Sequence, residues 1–258
     1  MLGAGYTGAA LARRLVAEGQ RVIVTRRSFE AAEALAKVLG AEPRAVDLGH
    51  SNEPAPPGAI VVCLAPPSGE PHTEIANLLA LAAEAERLIY VSSTGVYAPG
   101  GGAWVDEQWP LAPATVSGNA RLAAERALPA TAIILRAAGI YGPGRGIAER
   151  LRAGTYRIVG DGSAHVSRIH VDDLVEAIVR AGASKLTGPV NCADDDPAPI
   201  GELADRIAAQ LGVPPPPRVA PESVGPEIAG MLTADRKIAN ARLKTELGVV
   251  LRHPTIEV

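Results

Sequence analysis

The feature that most constrains this chain is a glycine pattern near its start, GAGYTG at residues 3–8, in which the glycines are spaced G-x-G-x-x-G. A helix pattern follows directly, with Leu11 and Leu15 on one face and Gly19 at its end. Residues 21–25 are rich in β-branched side chains and predict a short strand. A tight glycine turn that opens a helix and is followed by a strand indicates the first βα unit of an open parallel sheet.

Each glycine of this turn has a physical task. Gly3 permits the tight turn, Gly5 lets a ligand approach the backbone closely, and Gly8 lets the helix pack against its strand. The N-terminus of the helix presents free N–H groups and the positive end of the helix dipole, which favour phosphate. The turn therefore predicts a dinucleotide site whose pyrophosphate contacts Gly3, Gly5, Tyr6, Thr7 and Gly8. A glycine-rich turn without a ligand is the alternative.

The strand that should precede this turn is short. Only Met1 and Leu2 come before Gly3, whereas a sheet of this kind has a central strand there. Loss of a central strand would leave backbone groups of its neighbours unpaired. We therefore expect upstream residues to complete the first strand, and a stub of a strand is the alternative.

Helix and strand patterns alternate along the first half of the chain. The continuous apolar run at residues 59–64 predicts a strand covered on both faces. Helix and strand patterns then follow at residues 73–86, 88–92, 119–128 and 132–135. This order predicts an α/β fold with a doubly wound parallel sheet of the Rossmann type.

The alternation loosens after the first half, where Gly and Pro become more frequent. Helix patterns at residues 172–182, 200–211 and 235–247 are joined there by short strands. We expect a dinucleotide-binding domain over residues 1–142. Residues 143–258 are expected to form a smaller substrate-side lobe, interleaved with the sheet.

The residues after the second predicted strand bear on the choice of dinucleotide. An acidic side chain near this point would hold the ribose 2′-hydroxyl of NAD, but none occurs before Glu30. The segment holds Arg26, Arg27 and Ser28 instead, which suit a 2′-phosphate through charge-assisted hydrogen bonds. We therefore expect NADP in preference to NAD. The adenosine half is expected to contact the loops after the third and fourth strands, at Asp47, Leu48, Leu64, Ala65 and Pro66.

Bulk properties exclude several classes of partner. The net charge is −3 without a block of like charge, so neither nucleic acid nor an anionic membrane surface is an expected partner. No apolar run approaches about 18 residues and no signal peptide pattern is present, so we expect a cytoplasmic protein. Cys63 and Cys192 lie in apolar runs without metal-ligand spacing, so no metal site is expected.

Four further segments carry a resemblance. They are VSSTGVYA (91–98), LRAAGIYGPGRG (135–146), RIHVDDL (168–174) and NARLKTELG (240–248). In this order and at this spacing they resemble the extended short-chain dehydrogenase/reductases, the NAD-dependent epimerase/dehydratase group. The resemblance covers nearly the whole chain, and it implies an oxidoreductase or epimerase-like enzyme acting on a small carbonyl or sugar-like molecule.

The resemblance also implies catalytic positions, and the chain departs from the family there. Ser93 matches the residue that hydrogen-bonds the substrate oxygen, and it ends a parallel strand, where ligands bind in such sheets. The acid/base pair Tyr-x-x-x-Lys is replaced by Ser117 and Arg121. Arg121 can bind ribose hydroxyls but stays protonated, so it is no neutral base, and Ser117 is a poor acid. The catalytic candidates are thus Ser93, Ser117 and Arg121, with a plain strand-end serine as the alternative for Ser93.

Substrate contacts are implied by the loop that follows the sixth strand in the family. Here that loop contains Tyr141 and Arg145, and Arg145 would meet an anionic group. Thr94 and Tyr97 are the other expected substrate contacts. A nucleotide sugar is disfavoured, because Val166 occupies the position at which such enzymes commonly carry an arginine for the diphosphate.

Two classes of function remain open from the sequence. One is an NAD(P)-dependent enzyme with altered acid/base groups, and the other is a non-catalytic NAD(P)-binding sensor or partner protein. The resemblance implies a homodimer through the helices predicted at residues 73–86 and 119–128, both of which have Ala/Leu faces. The alternative is that these faces cover only their own sheet.

Overall fold

The computed structural model describes residues 1–68 and 70–256. In chain order its helices are α1 (Tyr6–Ala17), α2 (Phe29–Leu39), α3 (Pro71–Leu81), α4 (Val116–Ala127), α5 (Ile147–Arg152), α6 (Val171–Ala183), α7 (Ile200–Leu211), α8 (Pro226–Leu232) and α9 (Ala241–Thr245). Its strands are β1 (Ile23–Arg26), β2 (Glu42–Ala45), β3 (Ile60–Cys63), β4 (Arg87–Ser93), β5 (Trp104–Val105), β6 (Ile133–Ala137), β7 (Gly139–Tyr141), β8 (Ile158–Val159), β9 (His165–Val166), β10 (Arg168–His170), β11 (Gly188–Cys192), β12 (Ala198–Pro199), β13 (Arg218–Val219) and β14 (Lys237–Ile238). Within the described residues, every helix is too short or too polar to cross a lipid bilayer.

The chain forms two compact units that are interleaved along the sequence. Unit 1 contains Met1–Ser92, Ala120–Arg136 and Leu174–Val190. Unit 2 contains Ser93–Asn119, Ala137–Asp173 and Asn191–Val258. The chain therefore passes from one unit to the other several times, and the compact units do not follow a single boundary at residues 142/143.

Unit 1 is built on parallel strands. β1 pairs with β2 and β3 pairs with β4, both in parallel, and the longer sheet has the order β11-β6-β4-β3. Leu2 connects the two groups, since its N–H donates to the Val62 carbonyl at 2.7 Å and the Leu64 N–H donates to the Leu2 carbonyl at 2.9 Å. On the side of β1, the Thr25 N–H donates to the carbonyl of Met1, the residue before Leu2, at 3.1 Å. The predicted α/β fold with a parallel sheet is confirmed.

Local sequence explains the helix that follows β1. Ser28 caps the N-terminus of α2 by accepting a hydrogen bond from the Ala31 N–H, and Gly40 ends the helix with a left-handed φ of 69°. The inner face of this helix packs on small aliphatic side chains from α1 and β1. This part of the core comprises Ala4, Ala12, Val22, Val24, Ala36 and Leu39, as expected for a chain with 3% aromatic residues.

Unit 1 also contains a buried ion pair. The Arg136 guanidinium on β6 contacts the Glu125 carboxylate on α4 at 2.7 Å, and each side chain is 4% exposed. Three hydrogen bonds join the two groups. Loss of one partner would leave a buried charge uncompensated, so this pair fixes α4 against the sheet.

Unit 2 is made of short strand pairs around helices. β7 pairs with β10, β8 with β13 and β5 with β14 in parallel, and β9 pairs with β12 in antiparallel fashion. Asn191 connects several of these elements, because its side chain bonds the Tyr97 hydroxyl and the carbonyls of Val105 and Ala239. Its backbone N–H donates to Glu107 at 2.7 Å.

The helix expected over residues 235–247 is wrong in its first half. Lys237–Ile238 forms β14 against Trp104–Val105, and only Ala241–Thr245 is helical. Asp235 has a φ of 47°, which a helix does not allow, and its carboxylate accepts a hydrogen bond from the His165 N–H at 2.8 Å. Tertiary contacts therefore override the local helix pattern.

Candidate functional site

The glycine turn of unit 1 has the geometry that its sequence predicts. Gly3 has a φ of 73°, and a Cβ on it would lie 2.7 Å from the Ala65 nitrogen, so both conformation and close packing require glycine. A Cβ on Gly8 would lie 3.3 Å from the Leu64 side chain, because α1 packs tightly on the end of β3. Ala65 and Leu64 belong to the loop predicted to lie beneath the adenosine.

Gly5 is different, because no described atom crowds the place that a Cβ would take. A Cβ there would meet only the Gly3 carbonyl oxygen, at 3.9 Å, and the φ of Gly5 is −78°. Gly5 precedes α1, which has no side-chain cap and no acidic residue in its first turn. The amides of Tyr6 and Thr7 begin this helix, so an anion brought close to Gly5 would meet a positive helix end. These residues fit a dinucleotide pyrophosphate.

The expected 2′-phosphate contacts lie after β1. Arg27 is exposed and Arg26 is half-buried, and neither side chain makes an ion pair or a hydrogen bond with the described part of the chain. The Ser28 hydroxyl already accepts the Ala31 N–H at 3.3 Å as the cap of α2. The two arginines are therefore available to a ligand, whereas Ser28 has a structural task of its own.

The two loops predicted to meet the adenosine are held by side chains that sequence reasoning missed. The Asn77 side chain on α3 donates to the Leu48 carbonyl at 2.8 Å, while Asp47 accepts the Gly49 N–H at 3.0 Å. Buried Glu74 accepts hydrogen bonds from the backbone and hydroxyl of Ser68, two residues after Pro66. The sequence indicated Glu74 through its position, because it is a polar residue on the buried face of a predicted helix.

Arg121 lies on α4 and reaches the carboxyl end of β4. Its guanidinium donates to the Val91 carbonyl at 3.3 Å, which uses one of its five N–H groups. The remaining donors suit the hydroxyls of a ribose, as expected for the residue at the family's lysine position.

In unit 2, Ser93 begins the short 3-10 turn Thr94–Val96. Its Oγ accepts the Gly95 N–H at 3.0 Å, so its own proton is left for another acceptor. The turn is packed closely, because a Cβ on Gly118 would come within 2.5 Å of the Gly95 carbonyl oxygen. Ser93 and Thr94 are thus held in a fixed loop.

Ser117 occupies the family's tyrosine position but is already engaged. Its hydroxyl and its N–H both bond the carboxylate of Glu227, as does the Val116 N–H at 2.8 Å. The hydrogen bond from Ser117 is the largest of the effects that lower the pKa of Glu227, which is therefore ionised. Glu227 on α8 caps the N-terminus of α4, and this role of Ser117 was not apparent from the sequence.

Tyr97 requires a correction. It was expected to contact substrate, but its side chain is fully buried and its hydroxyl donates to the Asn191 side chain at 2.7 Å. The Tyr97 carbonyl also accepts a hydrogen bond from Arg236 at 2.7 Å. A substrate cannot reach this ring without opening the core, so Tyr97 is a structural residue.

Tyr141 and Arg145 lie on the wall of a cavity of about 260 Å³. Reciprocal backbone hydrogen bonds between Gly142 and Arg145, at 3.0 and 2.9 Å, close the loop that carries them. The Tyr141 hydroxyl donates to the Thr255 carbonyl at 3.2 Å. The cavity is also lined by Pro143, Gly146, Ile147, Ala148, Glu149, Arg152, Arg168, His170, Ile207, His253 and Ile256.

His170, Asp172 and His253 form a cluster of possible metal ligands beside this cavity. The two imidazole rings are stacked, with centroids 3.6 Å apart and planes 30° apart. Ligand lone pairs lie in the ring planes, so two stacked rings do not point at one ion. The His170 Nδ1 moreover accepts the Asp172 N–H at 3.2 Å.

The neighbouring carboxylate, Asp173, is a structural residue. It is fully buried and accepts the backbone N–H groups of Arg252 and His253 at 2.8 and 3.0 Å. It thereby holds the C-terminal segment that carries His253 to the cavity.

A family model for the NAD dependent epimerase/dehydratase family matches residues 1–193. The 3-diazoavenalumate denitrifying reductase of Streptomyces sp is 37% identical over 198 residues, which cover 68% of this chain and 64% of that protein. The chain thus matches less than two thirds of the length of this curated relative.

Solved structures support the same fold. A functionally unknown conserved protein from Silicibacter pomeroyi is 32% identical, with a TM-score of 0.84 over 98% of this chain and 93% of that one. Human epimerase family protein SDR39U1, solved with NADPH, is 20% identical, with a TM-score of 0.76 over 98% of this chain and 94% of that one. MoeE5, solved with UDP-glucose and NAD, is 18% identical, with a TM-score of 0.75 over 97% and 92%. The Rossmann-type fold is therefore confirmed.

Proposed function

The chain belongs to the NAD dependent epimerase/dehydratase family, and we propose that it is an NADPH-dependent reductase of a small organic molecule that works without a Tyr–Lys pair. The observation that carries this proposal is the glycine turn before α1. Gly5 has open space where a side chain would stand, beside a helix end with no cap and no acid. A bound pyrophosphate explains both features.

The preference for NADPH rests on Arg26 and Arg27. Neither arginine side chain has a partner in the described part of the chain. Arg26 is the last residue of the strand that ends at the ribose in this fold, and Arg27 follows it. Solved relatives have been captured with NADPH and with NAD, so the family alone does not decide between the two. The arginines support the proposed 2′-phosphate contact, because a guanidinium binds phosphate through paired, charge-assisted hydrogen bonds.

The proposed chemistry assigns few roles to the protein. A bound nicotinamide would supply a hydride. Arg121 would hold the nicotinamide ribose, and Ser93 would donate a hydrogen bond to the substrate oxygen, since its Oγ accepts from Gly95 and its proton is left over. Ser117 would take no part in proton transfer, because its hydroxyl is bonded to ionised Glu227.

A reductase without a dedicated acid is chemically reasonable. Hydride addition to a carbonyl creates an alkoxide that needs a proton. Hydride transfer to the carbon of a diazonium group instead forms a C–H bond, breaks the C–N bond and releases N2, so no alkoxide arises. The Streptomyces relative is named a reductase of a diazo compound. The substrate class proposed here is therefore a small electrophile, with a carbonyl or sugar-like molecule as one form of it.

Titration with NADPH and NADH, followed by nicotinamide fluorescence, tests the cofactor proposal. We expect NADPH to bind roughly tenfold more tightly, since one charge-assisted hydrogen bond contributes about 1.5–3 kcal/mol. Arg26→Gln and Arg27→Gln should remove that difference, while Arg13→Gln, an exposed arginine on α1, should keep it. Equal or tighter binding of NADH would refute the role of the arginines, and binding of neither by folded protein would refute the proposal.

A non-catalytic NAD(P)-binding protein is the second candidate. It is favoured by the capture of Ser117 by Glu227, which leaves the family's acid position with a structural task. Oxidation of NADPH in the presence of carbonyl and diazo compounds separates the two candidates. Turnover that falls in Ser93→Ala supports the reductase, whereas tight NADPH binding without turnover on any of these compounds supports the sensor.

The predicted homodimer is part of the same proposal. It would pair the exposed faces of α3 and α4, which the family resemblance offers as the contact. Light scattering during size exclusion measures the mass directly, and a mass of 26.5 kDa would identify a monomer.

A further inference from the structure

The cavity next to residues 141–149 has a strongly basic wall. Arg145, Arg152 and Arg168 line it, and Glu149 is the one acid among the described residues that line it. Glu149 pairs with Arg152 at 3.6 Å, which leaves the wall with a net positive charge. A basic cavity of this kind concentrates anions.

Arg168 is the least exposed of the three arginines. Its Nε is buried and has no hydrogen-bond partner in the described part of the chain, although the side chain also hydrogen-bonds Tyr156. Asp194 interacts electrostatically with Arg168, but burial raises the pKa of that carboxyl to about 7. Asp194 therefore offsets the charge of Arg168 only in part near neutral pH. A buried charge is costly unless it is paired, and an anion in the cavity that Arg168 lines would offset this charge.

The two histidines add hydrogen-bonding groups to the wall. The His170 Nδ1 accepts the Asp172 N–H, so the proton of the neutral ring lies on Nε2. Burial, and then the nearby His253, lower the pKa of His170 and keep it neutral. A neutral ring with a free Nε2–H can hydrogen-bond an anion.

The rest of the wall is apolar and the space is small. Ile147, Ala148, Ile207 and Ile256 line it together with the Tyr141 ring. The volume of about 260 Å³ lies just below the range of roughly 300–1,000 Å³ that is usual for ligand pockets. Such a space suits a compact molecule with one anionic end and an apolar body. An apolar wall also favours an organic acid over inorganic phosphate.

We propose that this cavity binds the carboxylate of a small organic acid, with Arg145 and Arg168 as its charged partners. This inference rests on the reductase function proposed above and narrows it by naming the chemical class of the substrate. Arg145 at the rim would attract the anion, and the less exposed Arg168 would fix its orientation.

Calorimetric titration of the full chain with acetate, benzoate and cinnamate, each beside its neutral amide, tests the proposal. Acid and amide have nearly the same shape, so the difference between them reports the charge. We expect at least one acid to bind at least tenfold more tightly than its amide. Equal binding of acid and amide in all three pairs overturns the proposal, as does inorganic phosphate binding more tightly than every acid.

Two variants assign the binding to these arginines. Arg145→Gln should weaken the tightest acid about tenfold, and Arg168→Lys should weaken it as well, because lysine keeps the charge but loses the planar fork. Arg206→Gln is the matched control, since Arg206 pairs with Asp196 at 3.2 Å and is not among the residues lining the cavity. Unchanged acid binding in both cavity variants, each shown to be folded by circular dichroism, overturns the assignment.

An NADPH titration of the same samples separates this inference from the proposed function. Loss of NADPH binding with acid binding kept would refute the reductase and leave the anion cavity. Normal NADPH binding with no preference for acids over amides would refute the anion cavity and leave the reductase.

Discussion

Replacing Gly5 by alanine should separate cofactor binding from stability. A Cβ at this position would meet only the Gly3 carbonyl oxygen, at 3.9 Å, which is ordinary contact. The φ of −78° is open to an L-residue, and the ψ of −145° lies just beyond the β region, so a small part of the expected loss is backbone strain. Gly5 is the N-cap of α1, where alanine is somewhat worse than glycine, so we expect a loss of less than about 1 kcal/mol in the free energy of unfolding.

The same methyl group would lie on the open side of the turn, where the pyrophosphate is proposed to approach. A phosphate held away from the amides of Tyr6 and Thr7 would lose charge-assisted hydrogen bonds, each contributing about 1.5–3 kcal/mol. Gly5→Ala should therefore weaken NADPH binding by about tenfold to a hundredfold. Nicotinamide fluorescence gives the affinity, and urea unfolding without cofactor gives the stability.

Gly3→Ala is the contrasting variant. It places a Cβ 2.7 Å from the Ala65 nitrogen and forces a φ of 73° on an L-residue. The strain costs about 1–2 kcal/mol and the overpacking about 1–3 kcal/mol, so this variant should lose stability before any cofactor is added. If Gly5→Ala binds NADPH as the parent does, or if it unfolds as easily as Gly3→Ala, the turn is not a phosphate cradle.

Three further predictions concern buried groups. Glu125→Gln should lower the free energy of unfolding by about 3–5 kcal/mol, because it leaves Arg136 buried without its counter-charge; urea unfolding measures this, and a loss below about 1 kcal/mol would contradict it. Burial raises the pKa of Asp194 from 3.8 to about 7, so the folded chain keeps a proton that the unfolded chain releases. The free energy of unfolding therefore falls as pH rises across that range, by on the order of 4 kcal/mol. Asp194→Asn should flatten this fall between about pH 4 and pH 8, and an unchanged pH profile would show that the carboxyl is already ionised. Tyr97→Phe should lower the free energy of unfolding by about 1–3 kcal/mol, because the Asn191 amide oxygen loses a buried donor. The same variant should bind NADPH with unchanged affinity in a fluorescence titration, and a weaker affinity would indicate that Tyr97 has a role in the site.

The parts of the fold that could be predicted are those that local sequence determines. The helix expected at residues 29–39 matches α2 because its two ends are marked by Ser28 as cap and Gly40 as stop. The glycine turn was equally accessible, since a helix pattern that ends at Gly19 follows the glycine spacing directly. The segment at residues 235–247 failed because pairing with β5 decides its structure, and β5 lies more than 130 residues earlier.

The candidate site was predictable to a similar degree. Gly3 has the left-handed conformation that the tight turn predicts, because local sequence defines that backbone geometry. Tyr97 does not have the role that was expected for it, since its partner Asn191 lies 94 residues away. No sequence pattern around Tyr97 distinguishes a buried hydroxyl from an exposed one. The basic cavity was missed for the same reason: only Arg145 stood out, and folding brings Arg168 and His253 to it.

Ser117 shows why a family position does not by itself carry a family role. A serine side chain is shorter than a tyrosine side chain by the whole ring, so the hydroxyl at residue 117 lies farther from the substrate than a tyrosine hydroxyl would. It also brings that hydroxyl within reach of Glu227, which closes the N-terminus of α4 with three hydrogen bonds. Ser117→Tyr would keep the two backbone hydrogen bonds of this cap and lose the one from the hydroxyl. It would not recreate the lysine that the family pairs with the tyrosine, because Arg121 stays charged and bonded to the Val91 carbonyl. A reaction that needs no proton donor at residue 117 therefore fits the structure better than a reaction whose proton donor has been lost.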